Sequence, residues 1–200
     1  MTTGRVLIIA CGALARELGD VLKRARFDWV DIECLPAVLH NTPQMITDAV
    51  RQRIDRANGR YEQIFVGYAD CGTGGTLDRL LDERGIERLP GAHCYEFFAG
   101  GDRFAQLHEE DPATFYLTDF LVKHFDRLVW QGLGLDRWPE LRDDYFGNYR
   151  RVIYLSQIAS DELVNRAQAA AQRLGLAFEH HHVGYGDFEP AIATAAGSVV

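Results

Sequence analysis

The most constraining feature of this chain is a short run with almost no polar atom in it. Arg5-Val6-Leu7-Ile8-Ile9-Ala10 is apolar from its second residue on, and Cys11-Gly12 ends it. A strand that alternates apolar and polar residues has one wet face. A run like this one has none, so it belongs in a parallel sheet covered on both sides. The next segment, residues 13–24, carries Leu14, Leu18, Val21 and Leu22 at helical spacing. The chain therefore begins as strand, turn, helix.

The same grammar recurs. Residues 29–35 read as a second strand, with Val30, Ile32 and Cys34 on one face and Asp31 and Glu33 on the other. The helix after Pro43 carries Ile46, Val50 and Ile54 and ends near Asn58-Gly59. Ile64-Phe65-Val66-Gly67-Tyr68 is a third strand, followed by a glycine-rich turn and a helix closed by Gly85. Residues 86–89 form a short strand. Later, 151–155 and 177–183 are strands separated by a helix that Ser160 starts and Gly175 stops. Strands alternating with helices give an α/β fold, three-layer and Rossmann-like, with a mainly parallel sheet. Residues 100–148 are rich in aromatic side chains and read as a helical insertion, within a single domain spanning 1–200.

Composition narrows the function. The 200 residues carry 21 Lys plus Arg against 29 Asp plus Glu, a formal charge of −8. Nucleic acid and anionic membrane surfaces both require a basic face, so neither is expected as a partner. No apolar run reaches the ~20 residues of a membrane span, and the amino-terminal residues have no secretory pattern. A cytoplasmic location is expected, where the four cysteines stay reduced.

Those cysteines stand at 11, 34, 71 and 94. In open parallel sheets, ligands bind beyond the carboxyl ends of the strands. Cys11 ends the first strand, Cys71 follows the third and Cys94 follows the fourth, which directs all three to one rim and leaves Cys34 to the core. With the neighbouring His93 they make a donor set for zinc, and three thiolates also suit an iron–sulfur cluster. There is no C-x-x-C pair, and the competing reading is that free cysteines are small apolar fillers. Asp70-Cys71-Gly72-Thr73-Gly74-Gly75 joins a strand to a helix. Its glycines allow close backbone approach, so Gly72, Thr73, Gly74 and Gly75, with Asn41, are candidate contacts for a small anionic or polar substrate. The competing reading is a tight connection that needs small residues. His40, Glu96 and Asp70 are the candidate acid–base groups, each weighed against an ordinary role as loop polar residue, solvated carboxylate or turn former. In His180-His181-His182 the first and third face one side of a strand and the second faces the other, and an edge-strand role competes with metal ligation.

Taken together, Ala10-Cys11-Gly12-Ala13-Leu14, Leu39-His40-Asn41, 67–75, Gly91-Ala92-His93-Cys94-Tyr95-Glu96, 115–120 and Gly134-Leu135-Asp136-Arg137 resemble the DUF1638 family of bacteria and archaea. Ala69 departs from the pattern, standing where a glycine is expected. Members of that family are found in genomes beside corrinoid-dependent methyltransferases acting on methylated amines. The resemblance therefore implies a place near one-carbon metabolism, and it assigns no catalytic residue. The expectation is a zinc or iron–sulfur enzyme acting on a small molecule. Its alternatives are an accessory protein that binds a metal, cluster or corrinoid for a methyltransferase partner, and a metal-free thiol enzyme using Cys71. A homodimer is a further expectation.

Overall fold

The computed structural model describes residues 5–57 and 59–197. Asn58, at the expected end of the second helix, and the last three residues lie outside them. In chain order the first part runs β1 (Val6–Cys11), α1 (Ala15–Ala25), β2 (Val30–Leu35), α2 (Ile46–Ala57), β3 (Gln63–Gly67), α3 (Thr76–Arg84), β4 (Glu87–Arg88) and α4 (Cys94–Ala99). The rest runs α5 (Gly101–Glu110), β5 (Thr114–Thr118), α6 (Asp119–Lys123), α7 (Leu141–Phe146), β6 (Arg151–Ser156), α8 (Asp161–Leu174), β7 (Ala177–His182) and α9 (Phe188–Gly197). Every strand pair among the described residues is parallel.

The strands are shared between two sheets, in the orders β2-β1-β3-β4 and β5-β6-β7. The chain divides correspondingly into two compact units. One comprises the residues up to Cys94 together with those from Asp187 onward, and the other is Tyr95–Gly186.

In the first unit, β1 lies between β2 and β3, which explains its composition: no residue of it is more than 1% exposed. Gly67 pairs in register with Ala10, and a Cβ at Gly67 would stand 2.9 Å from the Ala10 Cβ, so β1 and β3 fit together only because one of the pair is glycine. Helix α1 buries Leu18, Val21 and Leu22 and ends on Arg26 in the left-handed region, at φ 57°. Helix α9 packs on α1; Arg24 pairs with Glu189 at 3.1 Å, and the Trp29 indole N–H donates to the Ala196 carbonyl at 3.2 Å.

Cys34 corrects the sequence reading. β2 is an edge strand, and Cys34 is exposed, not part of the core. Residues 30–33 are all half-buried and only Leu35 of this strand is buried, because an edge strand leaves both of its faces partly open.

In the second unit, β6 is central, and Val152, Ile153, Tyr154 and Leu155 are fully buried. Helix α8 is capped by the Ser160 hydroxyl, which accepts from the Leu163 N–H at 3.3 Å, and ends on left-handed Gly175. It buries Ala167, Ala170 and Ala171 between Leu163 and Leu174, small residues that let a helix lie close on its sheet. The 100–148 segment is not wholly helical, because β5 lies inside it. Thr114-Phe115-Tyr116-Leu117-Thr118 is aromatic and β-branched, a composition that suits a strand, and it pairs along its length with β6. No helix of the described residues is long and apolar enough to cross a membrane.

Candidate functional site

The thiol cluster is built at the carboxyl ends of β1 and β3. Cys11 closes β1 and caps the turn that follows, its sulfur accepting the Ala13 N–H at 3.3 Å. His40 comes from a 3-10 turn, Ala37–Asn41, after β2. Its Nδ1 lies 3.1 Å from the Ala37 carbonyl and 3.8 Å from the Cys11 sulfur. Cys71 is buried with φ 49°, a conformation rare for a non-glycine residue and found where surrounding structure enforces it.

The enforcement can be traced. The Asp70 N–H donates to the Gly91 carbonyl at 3.2 Å and the Cys71 N–H to the Ala92 carbonyl at 2.9 Å, lacing the loop after β3 to the loop after β4. Arg88 steadies that second loop. Its guanidinium donates to the Leu89 carbonyl at 2.6 Å and pairs with Asp78. Two residues past the lacing, Cys94 hydrogen-bonds Cys71. On the other side, Gly72 at φ +82° packs against Pro43; a Cβ there would sit 3.3 Å from that ring.

These contacts set the protonation. The hydrogen bond from Cys94 leads in holding Cys71 down; burial opposes it, His40 assists, and the pKa falls to about 5. The same shared proton, with burial, pushes the Cys94 thiol well up. Burial alone would lower His40, but the sulfurs of Cys11 and Cys71 outweigh it and push it up to about 11. These shifts favour a thiolate at Cys71, an imidazolium at His40 and a thiol at Cys94.

Two polar atoms of this cluster remain unmatched. His40 Nε2 and the Tyr68 hydroxyl are buried without a hydrogen-bond partner among the described residues. The Tyr68 ring lies parallel to His40, centroids 6.0 Å apart, and its phenol is pushed up by burial and then by Cys11. Sequence patterning alone does not single out Tyr68. The signal that could have found it is a single hydroxyl at the end of an apolar strand, directly before the glycine turn.

Cys11, Cys71 and Cys94 act on one another's protonation at the strand ends, and the imidazole set on the sulfurs is that of His40. His93 is half-buried just before α4, and Glu96 lies on α4 in the second unit. Asn41 is exposed at the end of its turn. No group of three or more His, Cys, Asp or Glu side chains among the described residues is arranged to hold a metal ion as it stands.

Asp70 has a different place from the one expected of an acid–base group. Its carboxylate accepts from the Gly75 N–H at 2.9 Å, the Thr73 hydroxyl at 2.8 Å, the Gly72 N–H at 3.2 Å and the Gly74 N–H at 3.3 Å. Burial acts to raise its pKa, and these bonds override it and lower it. The glycine turn does receive an anion, and the anion is the protein's own.

The fold is a parallel, Rossmann-like α/β fold with buried thiols and an imidazole at its strand ends. The chain belongs to the family described as protein of unknown function (DUF1638), whose profile matches residues 34–192. No curated protein and no solved structure matches it.

Proposed function

We propose that this protein is a metal-dependent enzyme acting on a small molecule, with zinc or an iron–sulfur centre held by Cys11, Cys71, Cys94 and His40. The observation that carries this reading is the state of His40. Metal-ligating histidines commonly tie one ring nitrogen to a backbone carbonyl and leave the other for the ion. In His40, Nδ1 faces the Ala37 carbonyl, Nε2 is buried without a hydrogen-bond partner among the described residues, and the sulfurs of Cys11 and Cys71 act on the ring. Leaving a buried polar atom unmatched costs about 1–3 kcal/mol, and a soft cation would remove that cost. The donor chemistry also fits, because the sulfurs that draw a proton onto His40 favour any cation in the same place. Bound there, such a centre would supply Lewis-acid activation of a substrate or, as a cluster, electron transfer. Tyr68 would offer a hydroxyl donor beside it. The one-carbon setting, a methyltransferase partner, self-association and a cytoplasmic location belong to the same proposal.

The test is metal content after anaerobic purification, with the ultraviolet–visible spectrum. The proposal expects zinc near one per chain or iron with sulfide-to-iron absorption. It expects Cys11→Ser, Cys71→Ser, Cys94→Ser and His40→Gln each to lower that content, while Cys34→Ser on the exposed edge does not. Absence of bound metal, with no uptake of zinc or ferrous iron, would overturn it. A second reading is favoured by the left-handed Cys71 and its lowered pKa: a metal-free enzyme using Cys71 as nucleophile with His40 as its acid. Full activity after exhaustive chelation would select that reading.

A further inference from the structure

The second unit carries a different cluster on one face of its sheet. Tyr154 and Ser156 of β6 stand in register with His180 and His182 of β7. The Ser156 hydroxyl, 1% exposed, lies 3.0 Å from His180 Nε2 and 3.0 Å from His182 Nδ1. The His180 ring stacks on Tyr154 at 5.2 Å between centroids, and Tyr154 is fixed by donating its hydroxyl hydrogen to buried Asp119 at 2.6 Å. Asp119 is held in turn by the backbone N–H groups of Gln157 and Ile158. Both imidazoles line a pocket of about 330 Å³ with Ser160, Asp161 and Val164 at the start of α8.

A serine hydroxyl has one hydrogen. Buried, it must give that hydrogen to one imidazole and accept from the other, since no third partner stands beside it among the described residues. One histidine is bound through Nε2 and the other through Nδ1, so both rings must carry the same tautomer. The two remaining nitrogens, His180 Nδ1 and His182 Nε2, are then one N–H donor and one lone pair. A metal ion would need lone pairs on both, which would strand the serine hydrogen.

We propose that His180, Ser156 and His182 form a proton relay serving a binding site for a small neutral molecule that carries a donor beside an acceptor, as an amide does. A neutral ligand is favoured because it meets one N–H donor and one lone pair on neutral rings, and Asp161 in the pocket lining opposes an anion. The relay moves protons without a change of net charge. The ligand acceptor takes the proton from His180 Nδ1, and Nε2 of that ring takes the Ser156 proton. Ser156 takes one from His182 Nδ1, and His182 Nε2 takes one from the ligand donor. The rings end in the other shared tautomer, and the reverse step restores them. The site so defined can shift a proton between two atoms of its ligand, and it does not depend on the thiol cluster.

The test is ¹⁵N NMR of the histidine rings in the full chain at about pH 8, where ordinary imidazoles are neutral, with acetamide as probe and acetone, an acceptor only, as control. The same tautomer is expected at His180 and His182. Acetamide is expected to shift both rings and acetone not, with the acetamide response falling at least several-fold in Ser156→Ala. An unchanged backbone spectrum establishes that this variant is folded, and His182→Gln provides a second break in the relay. Different tautomers at the two rings, no response to acetamide, an equal response to acetone, or an unaltered response in folded Ser156→Ala would each overturn the proposal.

Discussion

Replacing Asp70 separates its structural work from any chemical role. Asp70→Asn preserves one carbonyl oxygen, which can stay with the two short bonds, from Thr73 at 2.8 Å and Gly75 at 2.9 Å. It sacrifices the two longer ones, from Gly72 at 3.2 Å and Gly74 at 3.3 Å. Hydrogen bonds to a charged acceptor contribute about 1.5–3 kcal/mol each when buried, and partial exposure of this loop takes them to the low end or below. The expected loss is about 1 kcal/mol for Asp70→Asn and about 2–3 kcal/mol for Asp70→Ala. In a chain of this size each kcal/mol is about 2–4 °C in melting temperature. Denaturation in urea, scanned against pH, reads both the size and the sign. The folded Asp70 pKa is depressed, so its contribution is complete above the unfolded value of about 3.9 and is lost as pH falls through the lower folded value. The Asn variant should lose that acid-side dependence. Equal destabilisation by Asn and Ala, or a stable Asn variant lacking all activity, would refute this reasoning and return Asp70 to acid–base work.

Two further outcomes are expected. The metal-free protein should react with a small alkylating reagent at Cys71 with a rate that rises through about pH 5 and then levels. His40→Gln should move that inflection up toward the ordinary thiol value of about 8.5, as read by mass spectrometry of the labelled peptide. Gly67→Ala should destabilise by about 1–3 kcal/mol, because its new methyl meets Ala10 at 2.9 Å between two paired strands. Chemical denaturation checks it against Gly19→Ala, where no atom lies within 4 Å of the added methyl.

Periodicity carried the parallel α/β character of this chain, since an apolar run such as β1 has no other comfortable place. It could not carry strand order. That Cys34 lies on an edge follows from β2-β1-β3-β4, which depends on which helix crosses where. The 114–118 strand was hidden for a related reason. Its aromatic residues look alike in a helix or a strand, and pairing with β6 decides between them. At the site, strand-end position placed three sulfurs at one rim. It could not choose the histidine, because that choice is made by the 3-10 turn that folds His40 back to Ala37 and Cys11. Asp70 was legible as part of a turn, but its four bonds needed the left-handed residues that follow it.

The lacing of the two loops at Asp70 and Cys71 has a consequence for how freely this sequence can vary. The bonds to Gly91 and Ala92 run from main chain to main chain, so the spacing between the third and fourth cysteines is held by atoms that every residue except proline provides. Ala92 is exposed and its side chain can be exchanged with these bonds left in place, whereas Gly91 sits at φ 90°, where a side chain would be strained. For a protein engineer the lacing therefore tolerates a change of side chain at 92, and a proline at 70 or 71 is the change that would let Cys71 and Cys94 drift apart.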